Sequence, residues 1–169
     1  MTRQQRTHRR YGTQGFTLIE LAIALALLAT LATLAVPGLA DMLARHRVMS
    51  AAEQISADMS ESRFIAAQRG VPMHLSFVTG AQACWSVSAS PGCDCQFAQA
   101  CQIKRGQASD LRSVQLVAAR EARFEPGGQG QGMVELHSAR GHQLRVEVGP
   151  MGRPRICAPQ GGDPRHVAC

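Results

Sequence analysis

Residues 16–36, FTLIELAIALALLATLATLAV, form one apolar run whose single charge is Glu20. As a helix, roughly 21 residues rise about 31 Å, the hydrocarbon thickness of a bilayer. The fifteen residues before it, MTRQQRTHRRYGTQG, contain Arg3, Arg6, Arg9 and Arg10 and no apolar stretch. Basic residues ahead of the run and few after it predict an N-terminus inside and the remainder outside the membrane. A secretory signal cut after Ala40 is a competing reading, since Gly38-Leu39-Ala40 offers small residues, yet the run exceeds the usual ~7–15 residues. A plain signal anchor explains the length and leaves Glu20 without a purpose. A carboxylate inside a span costs about 2.5–3.5 kcal/mol on insertion scales, so such a residue ordinarily has a partner.

The stretch Gly15-Phe16-Thr17-Leu18-Ile19-Glu20 resembles the class III signal of type IV pilins and type II secretion pseudopilins. The resemblance implies that a prepilin peptidase cuts between Gly15 and Phe16 and methylates the new amine of Phe16. It also implies that Glu20 neutralises the N-terminal amine of a neighbouring subunit during filament assembly. A buried charge relieved by docking favours one register over others.

Beyond Pro37-Gly38 the helical period resumes. Val48, Ala52, Ile55, Met59, Ser62 and Ala66 recur at spacings of four and three, with Arg45, Arg47, Glu53, Asp58, Glu61 and Arg63 assigned to other faces. Gly70 and Pro72 close this helix near Gln68. Short runs then follow at 73–78, 85–89, 113–118, 133–138, 143–148 and 153–157, separated by Gly and Pro stretches such as Pro126-Gly127-Gly128-Gln129-Gly130-Gln131-Gly132. The runs 133–138 and 143–148, joined around Arg140-Gly141, predict a hairpin. The expected class is α+β and type IV pilin-like: a leader over 1–15, a transmembrane half-helix over 16–36, an amphipathic half over 37–70 and an antiparallel β-rich domain over 71–169.

Six cysteines, Cys84, Cys93, Cys95, Cys101, Cys157 and Cys169, all lie in that last region. An even count in a small exported domain favours disulfides, and the paired spacing of a zinc site is absent. Fifteen pairings exist. The sequential set, Cys84–Cys93, Cys95–Cys101 and Cys157–Cys169, is the expected one; Cys93 to Cys95 is disfavoured, since one intervening residue leaves poor bridging geometry. Aromatic residues are only 4% of the chain, so the core must be built from small aliphatic groups, and such bridges would supplement it.

No nucleophile elbow, Walker lysine, dinucleotide fingerprint or histidine-pair motif occurs, so no enzyme, cofactor or metal is expected. Bulk charge also says little. The formal +6 includes the four leader arginines, and 14 basic against 12 acidic residues remain without them, a balance of +2. Clustering is more informative. Residues 138–169 hold Arg140, Arg145, Arg153, Arg155 and Arg165 against Glu147 and Asp163, 5 − 2 = +3. Arg153 and Arg155, at i,i+2, project from one face of an extended strand, and paired guanidinium groups suit phosphate oxygens.

Gly152-Arg153-Pro154-Arg155 followed by Cys157 resembles the C-terminal GRxR signature of FimT-like minor pilins in the GspH/FimT family. The resemblance implies double-stranded DNA as a partner during natural transformation, with those five arginines as candidate contacts. Pro154 at the variable position departs from an ordinary strand residue because it lacks an amide donor. The competing reading is that Arg153 and Arg155 merely guard a solvated edge strand. The expectation is a minor pilin or pseudopilin near a filament tip, either holding DNA or serving type II secretion purely as an H-type structural subunit. A secreted disulfide-rich binding domain is the third reading.

Overall fold

The computed structural model describes residues 15–80, 82–107, 111, 113–160, 162 and 164–169. The leader up to Gln14, and Asp163 of the C-terminal charge count, lie outside the described residues. The chain divides into a first compact unit ending at Leu39 and a second running from Ala40 to Cys169.

One helix, α1, runs Leu18–Arg69 and contains Pro37 without ending there. Its start is capped locally. The Thr17 hydroxyl accepts the Glu20 amide at 3.3 Å, and Glu20 falls in the first turn, where the helix dipole favours an anion. Up to Leu39 the large apolar side chains stand exposed, from Phe16 and Leu18 through Leu34 and Val36, and the most hydrophobic window has none buried.

From Ala44 onward the helix changes character. Val48, Ala52, Ile55, Met59, Ser62 and Ala66 are buried, as their spacing predicts. The helix ends one residue beyond the expected Gln68, where Gly70 takes φ 67° and its amide reaches the Ala66 carbonyl at 3.0 Å. Asp58 departs from expectation. It lies three residues after Ile55 on the same stripe and is buried rather than displayed. Its carboxylate accepts the Trp85 indole N–H at 2.7 Å and meets the Lys104 ammonium at 2.6 Å, with Glu61 also 3.0 Å from Lys104. Hydrogen bonds to Asp58 and then Glu61 hold Lys104 above its ordinary value of 10.5.

Among the described residues seven strands follow: β1 Met73–Val78, β2 Cys84–Ser88, β3 Gln102–Gln107, β4 Val114–Phe124, β5 Gly130–Ser138, β6 Gln143–Val148 and β7 Pro154–Cys157. They form one sheet in the order β3-β2-β1-β4-β5-β6-β7, antiparallel at each junction. The expected hairpin is β5–β6, with Met133 opposite Glu147 and Leu136 opposite Leu144. Strand β3 was not expected, because its sequence QIKRGQ is a polar edge with little alternation. Strand β4 is longer than the expected 113–118, and two register shifts, between Leu116 and Ala118 and between Arg120 and Arg123, disguise its period. Val134, Leu136, Leu144 and Val146 join the buried helix stripe in one core with Trp85 and Phe124. Gly106 lies against the Trp85 ring, where a Cβ would come within 2.1 Å of Cζ2.

The disulfides are Cys84–Cys95, Cys93–Cys101 and Cys157–Cys169, so the sequential pairing of the first four cysteines is corrected to an interleaved one. The β2–β3 loop runs back along β2, and this decides the pairing. The Ser86 hydroxyl donates to the Cys93 carbonyl at 2.7 Å, which sets Cys93 beside the middle of β2. Two residues farther back, Cys95 then meets Cys84, while Cys93 meets Cys101 at the entry to β3. The Gln102 side chain holds the loop through the Asp94 and Phe97 carbonyls at 2.6 and 2.7 Å. The third bridge pairs as expected. It ties the C-terminal end to the sheet, where Ala158 exchanges backbone bonds with Val167 and Cys169.

Candidate functional site

The arginine motif is built on a tight turn. The Gly152 amide donates to the Gly149 carbonyl at 2.8 Å and the Gly149 amide to the Arg153 carbonyl at 3.1 Å, closing a three-residue loop, Pro150-Met151-Gly152. Gly152 takes φ 66°, the left-handed position such a loop requires after its turn. It is also crowded: a Cβ there would lie 2.4 Å from the Gly128 carbonyl oxygen. The glycine-rich stretch after Pro126 therefore packs against the turn, and Arg63 of α1 donates from Nε to the same Gly128 oxygen at 3.4 Å. Pro154 opens β7 at the sheet edge, where a missing amide is tolerated.

Register explains what surrounds the two arginines. Arg120 stands opposite Met133, Met133 opposite Glu147, and Glu147 opposite Arg155, one row crossing four strands. The row lies on the sheet face turned away from the core, since Val134, Val146 and Ala119 alternate to the buried or half-buried side. Arg145 and Arg153 flank it. Together these groups line an open groove of about 640 Å³ with Met133, Val148 and the Gly149–Met151 turn. Four arginines thus face two carboxylates, Glu135 and Glu147, on this side of the sheet.

Not all four are equally available. Arg155 donates from Nε to Glu147 at 2.7 Å and also engages it through Nη2. Arg145 reaches Glu135 at 3.0 Å, and its Nε is buried without a partner among the described residues. Arg120 and Arg153 are exposed and have no ion-pair partner among the described residues. Arg140 and Arg165 are not brought to this groove. Arg165 lines a different cavity with Arg45 and His142, and Arg140 sits in the turn preceding β6. His142 and Gly149, which flank β6, are separated by about 23 Å at strand rise. Sequence reasoning missed Arg120 and the carboxylate lock on Arg155. Glu147 was legible as Arg155's cross-strand partner once the β6–β7 turn was assigned, whereas Arg120 depended on the β4 bulges.

The hydrogen bond from His137 holds the Glu135 carboxyl below its ordinary value of 4.5; the Arg145 bond adds to this, and burial opposes it. A carboxyl with a depressed folded value stabilises the fold fully above the unfolded value and loses that contribution as pH falls through the folded one. The stability gap between the native domain and Glu135→Gln is therefore expected to be widest above the ordinary carboxyl value of 4.5 and to narrow as the pH falls below it. Urea unfolding across that range measures it.

At the other end of the chain, Gly15 has no atom within 4 Å of where a Cβ would stand, and Phe16 is 80% exposed. No contact within the described fold calls for a glycine there. Glu20 is exposed and has no ion-pair partner among the described residues. The Glu147 carboxylate and the Cys157 and Cys169 sulfurs cluster within 4.8 Å, but both sulfurs are committed to their disulfide and offer no thiolate.

Residues 10–36 match the prokaryotic N-terminal methylation motif. Among solved structures, the chain is similar to the type IV minor pilin FimU of Pseudomonas aeruginosa strain PAO1 in a P21 crystal form. The TM-score is 0.52 over 72% of this chain and 96% of that one, at 14% identity. The fold is that of a type IV pilin. A second FimU crystal form, P65, superposes with a TM-score of 0.49 over 70% of this chain and 98% of the other, also at 14% identity. No curated protein matches in sequence. In this pilin fold the methylation motif covers the apolar start of α1, and the arginine groove lies on the open face of the sheet at the far end of β6.

Proposed function

We propose that this chain is a minor pilin, cut at Gly15–Phe16 by a prepilin peptidase, held in the inner membrane by residues 16–36 and then assembled near the tip of a filament. Its role is structural and recognitive rather than catalytic. The observation that carries this reading is the pairing of a pilin fold with two residues that the chain itself does not use. Gly15 meets no steric demand, and Glu20 lacks an ion-pair partner among the described residues. A cut site and an assembly charge supply both purposes.

The groove of Arg120, Arg145, Arg153 and Arg155 supports a finer reading, in which the GspH/FimT-like motif holds the phosphates of double-stranded DNA. Exposed Arg153 and Arg120 supply unpaired guanidinium groups, while Glu147 orients Arg155. The arrangement reads backbone charge and not base edges, so binding is expected to tolerate sequence and to weaken steeply with salt. Arg153→Ala with Arg155→Ala in the 40–169 unit is expected to lower DNA affinity about tenfold at low salt and to reduce the salt slope by about 2. Gel-shift titration at several salt concentrations reads both quantities. A domain that ignores DNA at low salt, or a double variant that binds unchanged, leaves the purely structural role of an H-type type II secretion pseudopilin. Arg155's pairing with Glu147 favours that second reading to the extent that it already neutralises one of the two motif arginines.

A further inference from the structure

Arg165, one of the two C-terminal arginines that the groove leaves out, lines a second cationic site. A cavity of about 150 Å³ is lined by Arg45 and His46 of α1, His142 at the entry to β6, and Arg165 and His166 near the C-terminus. Its wall is completed by three apolar side chains, Val48, Met49 and Leu144. None of its described lining residues carries a carboxylate. Asp41 bonds His142 Nε2 at 2.9 Å and stands 3.8 Å from Arg45, so it orients both groups and offsets part of their charge. His166 Nδ1 is shielded from solvent and has no hydrogen-bond partner among the described residues.

The location along the chain narrows the ligand. Large exposed apolar side chains continue along α1 through Leu39 to Met42 and Leu43. From Leu18 to Leu43 is roughly 26 residues, about 39 Å at helical rise, close to a bilayer counted with its headgroup regions. Arg45 follows two residues later. In a membrane-held chain, this site therefore falls in the headgroup layer on the side of the globular unit. Its volume equals roughly five waters' share of liquid, enough for a phosphodiester and its glycerol carbons. A free phosphate would use the cations and leave the apolar wall unmatched; a phospholipid uses both.

We propose that the Arg45–His142–Arg165 cavity binds the phosphate of an anionic phospholipid in the outer leaflet of the inner membrane, with the start of an acyl chain along Val48, Met49 and Leu144. The bound lipid would hold the globular unit against the bilayer before the subunit leaves for a filament. The proposal rests on the membrane-held part of the preceding reading and is independent of DNA binding.

The test uses the full chain. Flotation with neutral phosphatidylcholine vesicles first reads membrane insertion, and failure there removes the membrane reading itself. Native mass spectrometry from detergent, with phosphatidylglycerol or phosphatidylcholine supplied, then counts retained lipid. One phosphatidylglycerol per chain is expected, with phosphatidylcholine lost and with retention reduced about tenfold in Arg45→Gln plus Arg165→Gln. Arg45→Lys plus Arg165→Lys, which keeps the charge, is expected to restore most of it, and this separates lost binding from lost folding. Arg69→Gln, at the far end of the helix, should change nothing. Equal retention of the two lipids, unchanged retention in the double glutamine variant, or full displacement by inorganic phosphate would each overturn the proposal, the last by assigning the site to the free anion.

Discussion

Replacing Gly15 with valine is expected to leave the globular unit folded and to abolish maturation completely. The Cβ position of Gly15 faces open space, so the substitution strains nothing in the described chain. A peptidase site that admits only glycine before the scissile bond would nevertheless be blocked. When the chain is produced with a prepilin peptidase, intact-mass measurement should show the native protein beginning at methylated Phe16, and Gly15→Val still carrying its fifteen-residue leader. A native chain beginning at Asp41 would instead make residues 1–40 a secretory signal and remove the filament reading. A Glu20→Leu variant is expected to be cut and inserted normally, since it removes a costly charge from the span, yet to be lost from filaments.

The second large effect concerns Asp58. Asp58→Ala takes away the acceptor of the Trp85 indole N–H, which is fully buried, and leaves that donor unsatisfied beside a small cavity. A loss of about 3 kcal/mol is expected, most of it from the charge-assisted bond and the stranded N–H. Lys104, by contrast, is 48% exposed, and its pairing is screened by water. Lys104→Ala should therefore cost less than Asp58→Ala, about 1–2 kcal/mol, because water screens the ammonium while the buried Asp58 carboxylate keeps its indole bond and loses only its counter-charge. Denaturant unfolding of the 40–169 unit compares the two. Equal losses would mean that the ion pair, and not the indole bond, joins helix and sheet.

The contrast between those two residues shows where sequence reading succeeds. Helical period alone identifies the stripe from Val48 to Ala66, because burying one apolar face is the dominant gain and leaves its mark every three or four residues. The same rule misplaces Asp58, because period says which residues share a face and not which polar group finds a partner inside it. Strands β1 and β6 carry clean bounds for the same reason that the helix does. Edge strand β3 and bulged β4 have no such bounds, since an edge need not alternate and a bulge resets the phase.

The site divides along a similar line. Gly15, Phe16 and Glu20 could be proposed without coordinates, because recognition by a peptidase and charge within a span would act on a contiguous stretch of chain. The resemblance of Gly15-Phe16-Thr17-Leu18-Ile19-Glu20, set directly before a span-length apolar run, is what raises the pilin reading. The disulfide pairing, the cross-strand row from Arg120 to Arg155, the carboxylate lock on Arg155 and the departure of Arg165 to another cavity were decided by the tertiary structure alone. Each joins residues distant in sequence, and their meeting depends on strand register and on the path of a loop across the sheet. Sequence by itself determined the apolar run that opens the helix and which faces are apolar; only the folded sheet decided which charges stand together and which are already spoken for.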